Sequence, residues 1–154
     1  MSNVEERLRA IGLTVPPVVM PLAAYVPAVR TGDLVYTAGQ VPMVDGELAA
    51  AGRLGDGISL EEGAALARIC ALNGLAAVKS VVGDLDRVVR VVKVVGFVAS
   101  TPDFTSHPAV VNGESNLLKD VFGEAGVHAR SAVGVAALPL GAPVEVEMIV
   151  EVAD

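Results

Sequence analysis

Arg130 is the residue of this chain best suited to hold a small anion. It opens a stretch otherwise free of charge, SAVGVAALPLGAPV. A guanidinium does not shed its charge and needs a paired anion when it is desolvated. Two readings stay open here. One is an edge arginine pairing with an Asp or Glu of its own or another chain. The other is a planar fork that grips a substrate carboxylate through two hydrogen bonds. Glu145 and Glu147 share one face of a predicted strand, with Glu151 further along it. Such a row is either a solvated polar face or a place where a carboxylate orients and polarises a water. His107 and His128 are candidate bases, yet no nucleophile or orienting carboxylate lies at a recognisable spacing from either. The single cysteine, Cys70, falls on the apolar face of a predicted helix and reads as a small core residue. One cysteine excludes a disulfide framework and a Cys-rich zinc site, and two separated histidines argue against a transition-metal site. GxGxxG, Walker, HExxH and GxSxG patterns are all lacking.

The elements that must position these residues follow from caps and periodicity. Asn3 as N-cap, Glu6 three residues on, and apolar Val4, Leu8 and Ile11 predict a short amphipathic helix over 4–11 that docks on its own chain or on a neighbour. A first strand is expected at Tyr25–Val29, a turn at Thr31-Gly32-Asp33 and a second strand at Leu34–Gly39. Asp45-Gly46 signals a tight hairpin. Ser59 and Glu62 form a capping box for a long helix over 60–82, closed by Gly83. Leu66, Cys70, Ala77 and Val81 are expected on its inner face, with Glu61, Arg68 and Lys79 opposite. Val88–Ala99 reads as a central strand, with Arg90 and Lys93 on different faces. A second helix follows over about 108–123, with Pro108 in its first turn. Glu114 projects into its stripe of Val110, Leu117 and Val121. The expectation is a helix that starts late and leaves Glu114 exposed in its first turn, the alternative a glutamate facing a subunit junction. Two strands, Arg130–Leu138 and Val144–Val152, complete the chain. This order predicts an α+β fold with helices packed on one face of a sheet.

At 154 residues, 53% of them hydrophobic and 19% charged, the chain is the size of one domain and has ample material for a core. A single domain over 1–154 is expected, with a helical extension at about 1–20. Eleven Lys and Arg against eighteen Asp and Glu give −7, which argues against nucleic acid as the main partner. Residues 10–29 carry no charge over twenty positions, but Pro16, Pro17, Pro21 and Pro27 interrupt them, so a membrane-spanning helix is not expected. With Glu5 and Glu6 in place of a signal-peptide core, a cytoplasmic location is expected.

Residues 128–152, HARSAVGVAALPLGAPVEVEMIVEV, resemble the C-terminal signature of the Rid/YjgF family of reactive-intermediate deaminases, approximately A-R-S, a short strand, L-P, then V-E-I-E. TAGQVP at 37–42 is similar to that family's S-G-Q-I-P element, and AYVPAV at 24–29 to its tyrosine-containing first strand. The long helix followed by GDLDRVVRVVKVVGFVAS matches in order, so the resemblance covers roughly residues 20–152, with the look of a longer branch. It implies a chorismate-mutase-like mixed sheet with two long helices on one face, forming a homotrimer with ligand clefts between subunits. In the best-known branch these clefts hydrolyse 2-imino acids, derived from 2-aminoacrylate, to 2-keto acids and ammonia, with no metal or organic cofactor. Carried over, Arg130 matches the arginine that binds the substrate carboxylate and Glu145 the glutamate that positions the attacking water. Tyr25 matches the cleft tyrosine, and Gly39 lies in the element whose backbone contacts ligand. Ala132 replaces a common cysteine, Ala38 a serine, and Ala-Ala-Tyr a Gly-Pro-Tyr; the helix asparagine has no counterpart, Asn112 and Asn116 both being out of register. Ala38 and Ala132 therefore line the expected site.

The chemistry is consistent with those residues. An imine carbon is already electrophilic, so orientation and a placed water are the main requirements. If the last two strands formed a hairpin through 138–143, Arg130 would lie opposite about residue 151, on the order of 20 Å from Glu145. Either the strands are not adjacent, or the two side chains meet across a subunit interface. A second reading is a trimeric module that binds a small carboxylate such as a 2-keto acid without turning it over. Endoribonuclease activity, a label attached to some relatives, is disfavoured by the acidic charge and few aromatics.

Overall fold

The computed structural model describes residues 2–154. Helix α1 spans Asn3–Ala10, and strands β1 (Ala28–Thr31) and β2 (Leu34–Thr37) form a hairpin. Two minor pairs follow, β3 (Met43–Val44) with β4 (Glu47–Leu48), and β5 (Arg53–Leu54) with β6 (Gly57–Ile58). Then come α2 (Leu60–Val82), β7 (Val88–Ala99), α3 (His107–Phe122), β8 (Ala129–Val135) and β9 (Val144–Val152). Five strands make one mixed sheet in the order β1-β2-β9-β7-β8, with β8 parallel to β7 and the other pairs antiparallel. α2 and α3 pack against each other and on the sheet. The covered face of β9 is Val144, Val146, Met148, Val150 and Val152, all in the core, as its alternation predicts.

Local chemistry explains the boundaries. The Ser59–Glu62 capping box is formed in both directions, and Gly83 closes α2. Asp45 and Gly46 both have positive φ, 51° and 81°, and turn β3 into β4. α2 is long and apolar enough to cross a bilayer by length and composition, but most of it is buried inside the fold. The proline-rich run before β1 has no regular structure.

Several expectations are corrected. The cap of α1 is Ser2, whose hydroxyl accepts from Glu5 N at 3.1 Å; Asn3 is the first helical residue, and its N–H and amide are taken by Asp86. α1 docks on its own chain, with Val4 and Leu8 buried and Lys79 paired to Glu5. The first strand begins at Ala28, not Tyr25, because Pro27 has no N–H to offer a ladder. Val81 lies on the flank of α2, since the buried stripe runs through Val78 and Val82. Arg90 and Lys93 share the uncovered face: the register shifts by one residue before each, and they pair with Glu151 and Ile149. The predicted strand at 130–138 ends at Val135. β8 and β9 are not adjacent, because β7 lies between them.

Candidate functional site

β8 forms one edge of the sheet, and its residues alternate between the helix side and the uncovered side. Arg130 pairs in register with the core residue Val94, so it lies on the helix side, beneath α3. Its Nη1 donates to Asn112 Oδ1 at 2.8 Å and to Ser115 Oγ at 3.1 Å. Asn112 and Ser115 are three residues apart on α3 and therefore share a face. Between them, Gly113 brings the helix against α2 so closely that a β-carbon there would stand 1.9 Å from the Ala64 carbonyl oxygen. No other residue type allows that approach, which holds the Asn112–Ser115 face over β8. Among the described residues no carboxylate forms an ion pair with Arg130. Its partners are neutral, and the fork keeps donors for an external anion.

The Arg130 cluster continues to His128, just before β8. Ser115 Oγ lies 2.9 Å from His128 Nε2, and His128 Nδ1 lies 2.6 Å from the Gly126 carbonyl oxygen. A carbonyl only accepts, so Nδ1 carries the proton, and in the neutral ring Nε2 accepts from the serine hydroxyl. Burial first, and the Arg130 charge second, lower the His128 pKa against the raising effect of Gly126. The ring is therefore held neutral into more acidic conditions than an ordinary histidine.

Glu145 lies elsewhere. It pairs with Phe97 on the uncovered side of the sheet, and its side chain packs over the backbone of Gly39. A β-carbon at residue 39 would stand 2.7 Å from Glu145 Oε1, so a larger residue there would have to displace the glutamate side chain. Residues 38–40 run beside β9 after β2 ends, tied by Gln40 N to Val146 O at 2.7 Å and by the reverse bond at 3.0 Å. Burial, and then the Glu147 charge on the same face, raise the Glu145 pKa. Tyr25, Ala38, Gly39 and Gln40 line one small cleft of about 90 Å³. Tyr25 is exposed, in the loop before β1 rather than in a strand. Ala132 is half-buried against the core on the helix side of β8, beside Gly96.

The predicted site thus falls into two groups. Tyr25, Ala38, Gly39 and Glu145 gather on one side, and Arg130 and Ala132 on the other. Within one chain β7 separates Arg130 from Glu145, and three residues of register add to the gap, so they are roughly 14 Å apart along the sheet and face opposite ways.

Three residues of the Arg130 cluster were not placed there by the sequence. Asn112, judged out of register, is the asparagine on Arg130. Ser115 was not singled out. His128 was named without its partner, which comes from thirteen residues upstream. His107 likewise meets Ser100 at 3.0 Å and packs edge-on to Phe104. Asn and Ser three apart on a helix, with His and Arg two apart at a strand, were the available signal. Glu114 is not exposed in a first turn: α3 starts at His107, and the carboxylate is fully buried without a hydrogen-bond partner. Burial pushes its pKa far up, opposed by Arg130. Cys70 is a core residue as expected, its thiol raised first by burial and then by Glu114 and Glu145.

Comparison with known proteins identifies the family and the fold. The family model described as "YjgF/chorismate_mutase-like, putative endoribonuclease" matches residues 5–152. The chain is 45% identical over 151 residues to Protein TCP17 of Trypanosoma cruzi, covering 97% of this chain and 94% of that protein. The crystal structure of Atu1372 from Agrobacterium tumefaciens, a protein of unknown function, superposes with a TM-score of 0.93 at 44% identity, over 98% of this chain and 93% of that one. Escherichia coli TdcF with bound serine superposes with a TM-score of 0.62 at 25% identity, over 88% and 94% of the two chains. The chain belongs to the YjgF/chorismate mutase-like family, and its fold is that family's α+β fold.

Proposed function

We propose that this family member hydrolyses small 2-imino and enamino acids to 2-keto acids and ammonia, in clefts between copies of itself arranged as a homotrimer. The observation that carries this reading is Arg130, a guanidinium held by two neutral oxygens and bonded to no carboxylate among the described residues. Such a fork receives an α-carboxylate bidentately and fixes the adjacent imine carbon. The serine bound to TdcF is a ligand of the same class, a small amino acid with a free carboxylate. Glu145 over Gly39, with Tyr25 and Ala38 nearby, supplies the second wall from a neighbouring copy, where the glutamate orients the attacking water. This division supports a cleft built from two copies, because one chain keeps Arg130 and Glu145 on opposite faces. The uncovered sheet face, with Val29, Tyr36 and Val133 exposed on it, offers a surface for packing against those copies. The reaction needs no metal or organic cofactor, and the substrate is one met in the cytoplasm.

The test is to generate 2-iminopropanoate in situ and follow its loss with and without the protein. Acceleration that falls to the uncatalysed rate in Arg130→Ala, with assembly unchanged, is the expected result. Normal hydrolysis by that variant overturns the reading. Ala132 and Ala38, in place of the cysteine and serine expected there, favour a second reading: binding of a 2-keto acid without turnover. Saturable, Arg130-dependent binding of pyruvate by a well-folded oligomer that accelerates no imine loss would select it.

A further inference from the structure

We infer that Ser115 and His128 form a proton relay at the Arg130 site, moving the proton of the attacking water to the departing nitrogen. This inference rests on the imine-hydrolase reading and names the group that carries its proton. Its basis is the directed chain of four hydrogen bonds around Ser115. Arg130 Nη1 donates to Asn112 Oδ1 and to Ser115 Oγ, Ser115 Oγ–H donates to His128 Nε2, and His128 Nδ1–H donates to the Gly126 carbonyl. The last bond leaves the neutral imidazole one tautomer, with Nε2 as the acceptor. A serine whose proton faces an imidazole nitrogen, while its oxygen touches the arginine that would anchor the substrate, is placed to exchange protons with that substrate.

The structure gives the relay a setting that the chain's other histidine lacks. His107 also meets a serine, Ser100 at 3.0 Å, but no arginine fork is bonded to that pair. Arg130 from β8 is the charge that bears on His128; Arg90 from β7, whose Nη2 reaches the Val127 carbonyl at 3.4 Å, lies on the uncovered face, and the buried Glu114 on α3 beside Ser115 has its pKa raised by burial. The Arg130 cation, bonded to the same serine, disfavours lasting protonation of the ring, which suits an acceptor that returns what it takes.

The steps balance as follows. The substrate carboxylate sits on Arg130, and water adds to C2 of the imine. The water's proton passes to Ser115 Oγ as the serine's own proton passes to His128 Nε2, while the C=N π electrons move to nitrogen, which takes a proton from solvent if it entered unprotonated. The imidazolium then returns its proton through Ser115 to the amine nitrogen of the carbinolamine. The C–N bond breaks, ammonia leaves with that electron pair, and the hydroxyl oxygen closes the ketone as its proton passes to solvent water. Water is consumed, and no oxidant, reductant or metal enters. Ser115 is the group that touches the reacting atoms; His128 acts through it. Glu145 keeps the role of orienting the water.

The test is the pH dependence of 2-iminopropanoate hydrolysis by the full-length wild-type, Ser115→Ala, Ser115→Thr and His128→Gln proteins, beside pyruvate binding by each. Wild-type kcat is expected to fall with decreasing pH along a limb lying below the ordinary histidine range. His128→Gln and Ser115→Ala should lose about 100-fold in kcat with KM little changed, and His128→Gln should lose that limb. Ser115→Thr, which keeps the hydroxyl, should recover most of the rate. Pyruvate binding by His128→Gln and Ser115→Thr should match wild type, since both keep the two oxygens that hold Arg130, and that match separates a lost relay from a lost fold. A His128→Gln protein that binds pyruvate and keeps both rate and limb overturns the relay while leaving the hydrolase reading standing. A wild-type protein that hydrolyses no imine overturns both.

Discussion

At the scale of single residues, Glu114 sets the tightest constraint on the molecule. A glutamate among Val110, Val111, Leu117 and Leu118, with both oxygens buried and without partners, is stable only when it holds its proton. The folded chain therefore keeps a proton that the unfolded chain releases once the pH exceeds the ordinary carboxylate value. Its contribution is fully present below that value and is lost as pH rises towards the raised folded-state pKa. We predict that Glu114→Gln changes the urea midpoint little at pH 5 and raises it at pH 8, removing a slope of at most about 1.4 kcal/mol per pH unit. Equal effects at both pH values would show that the carboxyl finds a counter-charge on ionising. The sequence exposed the oddity of Glu114 inside an apolar stripe but not its resolution, because the position of a helix start decides whether such a residue is in the first turn or the middle.

At the scale of elements, what was legible depended on whether the signal was local. α2 and β7 were readable to the residue because a capping box, a closing glycine and a run of valines are written within each segment. The cap of α1 was displaced by one residue because Asp86, 83 positions from Asn3, recruits that amide. Asp86 accepts from Asn3 N at 2.8 Å and Val4 N at 3.0 Å, and those bonds hold its pKa down. Asp86→Ala should cost about 1 kcal/mol, as loss of a helix cap does, and lower Tm by roughly 2–4 °C. Greater proteolytic cleavage within residues 3–10 would check that the loss is local. Below the carboxylate range the wild-type protein loses the same bonds, so the gap between the two proteins closes as pH falls through the lowered pKa. The two register shifts in β7 were invisible for a related reason: they are set by pairing with β9, not by anything in the β7 residues themselves.

At the scale of the whole molecule, the division of the site between two faces makes a quantitative claim about assembly. Arg130→Ala and Glu145→Gln subunits, each inactive alone, should regain activity when unfolded together and reassembled as mixed oligomers. With random mixing at equal amounts, about a quarter of the clefts combine an intact Arg130 with an intact Glu145 from a neighbour. Activity that stays absent in the mixture, with mixed oligomers demonstrated, would mean that one subunit supplies both residues. The candidate residues of the proposed site could be named from the sequence because Arg130, Glu145 and the Gly39 segment each stand in a recognisable setting. That the two side chains stand apart within one chain also followed from strand spacing; that β7 is what parts 129–135 from 144–152 did not, because strand order is a topological fact that no spacing encodes.

That same strand order bears on how the molecule comes into being. β9 follows the other four strands of its sheet in the chain, yet it occupies the middle of that sheet, with the β1–β2 hairpin on one flank and the β7–β8 pair on the other. Until it arrives, the nascent chain holds two half-sheets with an open slot between them, each showing an unpaired strand edge. Such edges are where wrong pairings start. The hydrogen-exchange protection of β2, β7 and β9 should therefore appear together and late, and the interval before it is when this chain most needs a chaperone's cover.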